Sequence, residues 1–323
     1  ISPAPFQRDR LQGPDPFPLM RPCAKTTLIV KCFAMKDNTA TSPGQTPRAV
    51  DDDAGGLTRG RRLARAILDA LFPVRCGVCG KLFRAVPPPD VRQSSRNPGG
   101  AFRREMAEVV CGGCIDDFTP ITDPFCECCG VPFGGTVGDH HRCGDCLTNP
   151  PDFGRARAVG LYEGSLRRLI HGVKYGGRIG MARPLGRLLL TAFQAHWPSD
   201  GDGIDRVVPV PLHARRMRSR GFNQAHILVR DWPRLGAFDE LEVLPRALIR
   251  SRQTISQVGL SRRQRRQNVK NAFTPTDPEN IQGKRVLLVD DVLTTGATVE
   301  ECVRVLRRAG AKGVDVLTLA RVI

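Results

Sequence analysis

Two groups of residues in this chain have the types and spacing that chemistry needs. The first is a set of paired thiols: Cys76 and Cys79, Cys111 and Cys114, Cys126 and Cys129, Cys143 and Cys146. Their order is C-x-x-C-G then C-G-x-C, twice over. A C-x-x-C turn brings two thiolates within reach of one tetrahedral ion, and an adjacent glycine lets the backbone amides turn towards sulfur. Two such pairs close a four-thiolate site. The repeat favours sequential pairing, with Cys76, Cys79, Cys111 and Cys114 on one zinc ion and Cys126, Cys129, Cys143 and Cys146 on a second; crossed pairing is the alternative. With every position filled by sulfur, both ions are expected to be structural. Redox chemistry is the rival, but redox motifs rarely come as four adjacent pairs. Cys128 is the odd cysteine, and His140 and His141 are candidate substitute ligands. No role is assigned to Cys23, Cys32 or Cys128.

The second group is the run 285–298, RVLLVDDVLTTGAT. Four apolar residues form a buried strand, and Asp290 and Asp291 follow where it reaches a ligand edge. Thr294, Thr295, Gly296, Ala297 and Thr298 then open a helix, whose first amides are free and whose dipole is positive at that end. Such a start binds phosphate. Gly296 allows close approach, and the threonines add hydroxyl donors. Carboxylates would repel phosphate, so the acids need another partner, and a ribose diol is the natural one. An ordinary strand–turn–helix with capping Asp and Thr is the plain alternative. No G-x-x-x-x-G-K-[ST] is present to support a Walker-type reading.

These groups must be positioned by elements that can be read from periodicity. Residues 1–57 show no period and are read as a disordered or mis-started extension. Residues 58–73 read as an amphipathic helix ended by Pro73, with Leu63, Ile67, Leu68, Leu71 and Phe72 on one face. Residues 74–150 are the cysteine module, with a loop insertion in the spacer 81–110 and a short helix at 101–109. From 155 to 323 strands alternate with helices. Strands are expected at 156–162, 205–210, 242–249, 284–289 and 313–322, and helices at 164–172, 181–196, 221–235 and 297–309. That alternation predicts an α/β fold with a parallel sheet covered on both faces, which binds ligands at the carboxyl ends of its strands.

The formal charge is +17, from 49 Lys and Arg against 32 Asp and Glu. So basic a surface favours an anionic partner, unless arginine-rich coding composition alone accounts for it. Residues 244–276 contain no acid and cluster Arg250, Arg252, Arg262, Arg263, Arg265 and Arg266. They suit a lid over a diphosphate, a track for a nucleic-acid backbone, or a solvated helix face. Aromatic residues are only 6%, which argues against a base-stacking platform there. No apolar run reaches the roughly 18–20 residues of a membrane span. Paired cysteines without a disulfide pattern fit a reducing compartment, so the protein is expected in the cytoplasm.

The run 285–298 resembles the phosphoribosyl diphosphate (PRPP) signature of type I phosphoribosyltransferases. Further residues extend the likeness: Val208, Pro209, Pro211 and His213; Arg220 to Gln224; Arg252, Thr254, Gln257, Leu260, Arg263, Arg266, Asn268 and Phe273. Together with the cysteine pairs they resemble the ComF family, also called GntX-like, over roughly residues 60–323. The resemblance implies a double zinc ribbon before a type I phosphoribosyltransferase domain. It implies that Asp290 and Asp291 hold ribose hydroxyls and that Thr294–Thr298 wrap the 5-phosphate. Pro209–His213 would lie at the pyrophosphate, supported by Arg220, and residues 250–272 would form a mobile hood. His213 is a candidate base or pyrophosphate contact, or a structural histidine. Lys174 is a candidate phosphate contact, or part of a solvated turn. The implied activity is pentosyl transfer from PRPP with Mg²⁺ to an unidentified acceptor, in a protein of natural competence and DNA uptake. The alternative is a non-catalytic single-stranded DNA adaptor, working beside a helicase-like translocase and using the phosphoribosyl site as a sensor.

Overall fold

The computed structural model of the chain describes residues 74–85, 97–135, 138–198, 203–236, 241–255 and 259–323. The extension 1–57 with Cys23 and Cys32, the amphipathic stretch 58–73 and Gln257 lie outside the described residues.

The short strands β1 (Val74–Arg75) and β2 (Leu82–Phe83) pair antiparallel around the first C-x-x-C turn. Helices α1 (Pro98–Met106), α2 (Gly112–Asp116) and α3 (Gly144–Thr148) follow. Then come β3 (Ala156–Leu161), α4 (Gly164–Tyr175), α5 (Ala182–His196), β4 (Arg206–Pro209), α6 (Ala214–Arg220) and α7 (Gln224–Val229). The chain continues through β5 (Glu242–Val243), β6 (Leu248–Arg250), α8 (Arg262–Val269), β7 (Phe273–Pro275), β8 (Arg285–Leu293), α9 (Ala297–Arg308) and β9 (Gly313–Arg321).

Five strands form a parallel sheet in the order β3-β9-β8-β4-β5. Strands buried on both faces need apolar residues at every position, and β8 supplies them in Val286, Leu287, Leu288 and Val289, none of them exposed. Successive side chains point to opposite faces. Leu287 and Val289 join α4, α5 and α7 in one core, while Val286 and Leu288 join α9 in another. The expected α/β class and parallel sheet are therefore found.

Several elements differ from the sequence reading, each for a local reason. The single helix expected over 221–235 is broken. Gly221, at φ 83°, ends α6; Asn223 caps α7 by accepting from the Ala225 N–H at 3.0 Å; a separate turn of 3₁₀ helix spans Trp232–Leu235. The strand expected at 242–249 is two strands in two sheets, with Pro245 between them unable to donate a ladder hydrogen bond. β8 runs on to Leu293 because β9 keeps pairing with it, Asp290 opposite Thr318 and Leu293 opposite Arg321. Helix α1 starts earlier than expected because Asn97 accepts from the Gly99 N–H at 2.9 Å and Pro98 sits at the first helical position.

The cysteine module is built onto the sheet. Strand β3 lies at the sheet edge, where unpaired backbone groups would invite aggregation. Residues 119–128 cover it. The Leu161 N–H donates to the Thr119 carbonyl at 2.9 Å, the Ile121 N–H to Val159 at 3.2 Å and the Ala156 N–H to Cys128 at 2.7 Å. Phe102 of α1 stacks on Phe118, centroids 3.9 Å apart, and is fully buried, which contributes roughly 1.5–3 kcal/mol.

Gly130 closes the third cysteine pair at φ 70°, and a Cβ there would collide with the Ala156 carbonyl. Gly130→Ala should therefore lower stability by on the order of 2 kcal/mol, about 4–8 °C for a domain of ordinary size. A thermal melt unchanged within a degree would show that this approach is not required.

Candidate functional site

The structure gathers the eight paired cysteines into two clusters, Cys76–Cys79–Cys111–Cys114 and Cys126–Cys129–Cys143–Cys146. This is the sequential pairing, not the crossed one. Within each, the four sulfurs lie within 4.8 Å of one another. Cys79 Sγ is 3.7 Å from Cys111 Sγ, and Cys129 Sγ is 3.8 Å from Cys143 Sγ. A tetrahedron with zinc–sulfur bonds of about 2.3 Å has edges of about 3.8 Å, so the sulfurs fit one zinc ion per cluster. Backbone amides face the sulfurs. Val78 and Cys111 donate to Cys76 Sγ at 3.4 Å, and Cys143 and Cys129 donate to Cys126 Sγ at 3.3 and 3.5 Å. Against the penalty of burial, these amides draw the Cys76 and Cys126 thiols down to about 6. Cys128, buried nearby, is in neither cluster. His140 pairs with Asp123 at 3.2 Å and His141 stacks on Phe133, so neither substitutes for a cysteine.

A second site is a cleft of about 340 Å³ at the carboxyl ends of β4 and β8. Asp290 and Asp291 both line it, with Thr294, Gly296, Ala297 and Thr298. Gly296 adopts φ 80° and is the N-cap of α9, whose first amides have no acceptor within the helix. The two acids leave β8 from opposite faces, and the cleft wraps over the strand end to meet both. On the α4 side, Lys174 Nζ lies 2.7 Å from Asp291 Oδ2, both side chains being largely buried. Burial pulls the Lys174 pKa down, but Asp291 and then Asp290 raise it on balance. On the α9 side Asp290 stands near the buried Cys302. Burial first, then the Asp291 charge, pushes its carboxyl up to about 7, with Lys174 opposing.

Other residues named from sequence are placed as follows. Pro211 and Lys174 line the cleft. Thr295 faces away, into a gap beside the second cysteine cluster. His213 is outside the lining; it caps α6, its Nδ1 accepting from the Arg215 N–H at 3.3 Å. Arg220 is also outside. It donates to Gln224 Oε1 at 2.5 Å and lies over the Tyr175 ring at 5.2 Å. Gln224, one of the residues that carry the family likeness, lines the cleft, as do Tyr162, Tyr175 and Arg216, which the sequence did not single out. Tyr175 follows Lys174 directly and Arg216 lies in a basic run, and neither fact alone marks a ligand. Arg250 and Arg265, from the acid-free stretch, complete the basic wall. Helix α8, which carries Arg265, is docked on α9 by a fork from Arg266 to Glu300 at 3.0 and 3.2 Å. A larger cavity of about 430 Å³ lies between α1, α5 and β3, lined by Phe125, Leu188 and Ala192. Its His196 is held down at about 4 by burial, so it brings no charge at neutral pH. Asp123 also lines that cavity, whereas the smaller cleft gathers two acids and four basic side chains.

Comparison with known proteins agrees with this geometry. Residues 242–322 match the phosphoribosyl transferase domain family, and residues 100–147 match the double zinc ribbon domain. DNA utilization protein YhgH of Escherichia coli (strain K12) is 39% identical over 197 residues, covering 61% of this chain and 83% of the relative. Competence protein F of Haemophilus influenzae is 34% identical over 214 residues, covering 66% and 90%. The chain belongs to the ComF-like family. Competence protein ComFC of Bacillus subtilis is 26% identical over 228 residues, covering 68% and 87%. In this ComF-like chain, then, a parallel-sheet phosphoribosyltransferase fold is joined to a zinc-ribbon-like cysteine module. Among the described residues no helix is long and apolar enough to cross a membrane.

Two measurements follow. Metal analysis of the purified chain should find about two zinc ions, and Cys143→Ser should lower that towards one; a metal-free, fully folded chain would refute the double site. Asp290 has its folded pKa raised from 3.8 to about 7. Between those values the folded chain holds a proton that the unfolded chain has released, so this group lowers stability as pH rises through the window. Asp290→Asn should therefore raise the melting temperature at pH 8 by about 2–4 °C, a gain on the order of 1 kcal/mol, and have no such effect near pH 4. An equal shift at both pH values would contradict the assigned proton.

Proposed function

We propose that the cleft binds PRPP with Mg²⁺ and that this ComF-like protein acts in DNA uptake. The observation that carries the reading is one shared cavity, lined by both carboxylates and by the threonine–glycine turn. In this reading the turn Thr294–Thr298 takes the 5-phosphate on the first amides of α9. Asp290 and Asp291 accept from the ribose hydroxyls. Lys174, ion-paired to Asp291, fixes that carboxylate and offsets part of the charge the two acids add. The wall of Arg216, Arg250 and Arg265 faces the diphosphate.

Such a site suits pentosyl transfer. The bond from the anomeric carbon to the diphosphate breaks, positive charge develops on the sugar, and the acceptor supplies the new electron pair. Mg²⁺ travels with the substrate and neutralises its diphosphate. The protein's share is to position the sugar and stabilise charge at both ends of the breaking bond. His213 and Arg220 enter this reading at one remove, His213 by capping α6 beside Arg216 and Arg220 by orienting Gln224 and Tyr175.

The second reading is the non-catalytic adaptor, in which the phosphoribosyl site senses PRPP and the protein binds single-stranded DNA. Two observations favour giving it weight. The relatives' names refer to DNA utilization and competence. Helices α6 and α8 also carry exposed arginines, Arg215, Arg218, Arg263 and Arg266, that do not line the cleft. Backbone-directed DNA binding of that kind falls steeply with added salt.

Titration calorimetry with Mg²⁺–PRPP decides between binding and no binding. The wild-type chain should bind. Asp290→Asn/Asp291→Asn should abolish binding in a chain that keeps its zinc and stays folded, with a lower melting temperature because Lys174 loses its buried partner. Wild-type affinity should fall as pH drops below about 7, because a protonated Asp290 no longer accepts from both hydroxyls. Undiminished binding by the double variant would remove the acids from the site. Pyrophosphate release with an acceptor would favour the enzyme; tight binding without turnover, with salt-sensitive DNA binding, would favour the adaptor.

A further inference from the structure

The phosphate loop has a back as well as a front. Its front lines the PRPP cleft. Its back, formed by Thr294, Thr295 and Gly296, borders a gap of about 240 Å³ whose opposite wall includes Cys129 and Cys146. So the second cysteine cluster stands directly behind the loop. The Thr295 hydroxyl is buried there with no hydrogen-bond partner among the described residues, so none of these pins the loop from behind.

One side chain spans the two sites. Arg321 ends β9, opposite Leu293, the residue immediately before the loop. The next amide, Val322 N–H, donates to the Leu293 carbonyl at 2.9 Å. From this position the Arg321 guanidinium forks onto Cys129, donating to its carbonyl at 2.6 Å and to its Sγ at 3.5 Å. A zinc ion with four thiolates carries a net charge of 2−, from one dication and four anions. A dianion behind a phosphate loop works against phosphate binding, and the carboxylates of Asp145 and Glu300 line the same gap. A guanidinium is permanently charged and its planar fork fixes its direction.

The geometry points to Arg321 as a positioning residue that holds the strand end before the phosphate loop in register with the second cysteine cluster and shields the loop from that cluster's charge. The second cluster is thereby part of the phosphoribosyl site, whereas the first, against α1 and α2, is not. This inference rests on the reading of the cleft as a PRPP site.

The test uses the full zinc-loaded chain and three probes: Mg²⁺–PRPP, ribose 5-phosphate and Mg²⁺–pyrophosphate. Calorimetry compares wild type, Arg321→Met and Arg321→Lys, with zinc measured in each. Arg321→Met should weaken PRPP and ribose 5-phosphate about tenfold and leave pyrophosphate within about twofold, because pyrophosphate lies on the far side of the cleft. Arg321→Lys keeps the charge and loses the fork, and should fall between the two. The selectivity decides the matter whether or not a variant keeps both zinc ions. A parallel loss for all three probes would mean general loosening and overturn the inference. So would an unaltered ribose 5-phosphate affinity in Arg321→Met beside a wild type that binds all three. A wild type that binds pyrophosphate but neither phosphoribosyl probe overturns the PRPP reading itself, and this inference with it.

Discussion

Two carboxylates on consecutive residues at the end of a buried strand are the constraint around which this site is arranged. They repel each other, and the strand's alternation forbids them a common face. Asp291 goes to the α4 side and meets Lys174 at 2.7 Å. Asp290 goes to the α9 side, where it accepts from the Asp291 N–H at 2.8 Å and where burial and the Asp291 charge push its carboxyl up to about 7. Taking either member from a buried pair leaves an uncompensated charge, a loss of roughly 3–5 kcal/mol. The Lys174–Asp291 contact is therefore less a source of stability than the condition under which two acids can stand at this strand end.

The rest of the fold serves that strand end. The parallel order places the carboxyl ends of β4 and β8 side by side, so the cleft opens where the helix after β8 begins. Gly296 supplies the left-handed turn that a side chain would strain. Helix α8 brings Arg265 over the cleft and is held there by the Arg266–Glu300 fork and by Glu301, which accepts from the Asn271 N–H at 2.6 Å. On the far edge, the cysteine module does what a further strand would otherwise do for β3. Metal suits that task, because each knuckle is too small to bury a core of its own.

The chemistry was legible in the sequence where it depended on neighbours along the chain. Cysteine spacing is local, and so is the succession of apolar strand, acids and threonine–glycine turn from Val286 to Thr298. The sheet was legible too, from apolar runs at 205–210, 284–289 and 313–322. What could not be read depended on residues distant in the chain. Tyr162, from the turn between β3 and α4, and Arg216, from α6, reach the cleft from distant parts of the chain. The expected helix over 221–235 looked continuous because its apolar residues keep a helical period; Gly221 and Asn223 break it for reasons of capping. His213 invited a catalytic reading from its place in a motif, yet its ring nitrogen is engaged with its own helix start.

The arginine excess divides along the same line between local and long-range work. A basic chain suggests an anionic ligand, but many of these guanidinium groups are spent on carbonyls inside the protein. Arg178 donates to the carbonyls of Gly77 and Val78, Arg157 to Glu127 at 2.9 Å, and Arg321 to Cys129 at 2.6 Å. All three tie the cysteine module to the sheet domain. Arg252 likewise holds the carbonyls of Asn268 and Lys270 at 2.8 and 2.7 Å, at the end of α8. A planar group with five donors suits this stapling, because loops around a metal site expose carbonyls that no strand or helix satisfies. Arg216, Arg250 and Arg265 are set apart by lining the cleft. Net charge therefore overstates the surface offered to a ligand, and the position of each guanidinium, not the total, marks where an anion is received.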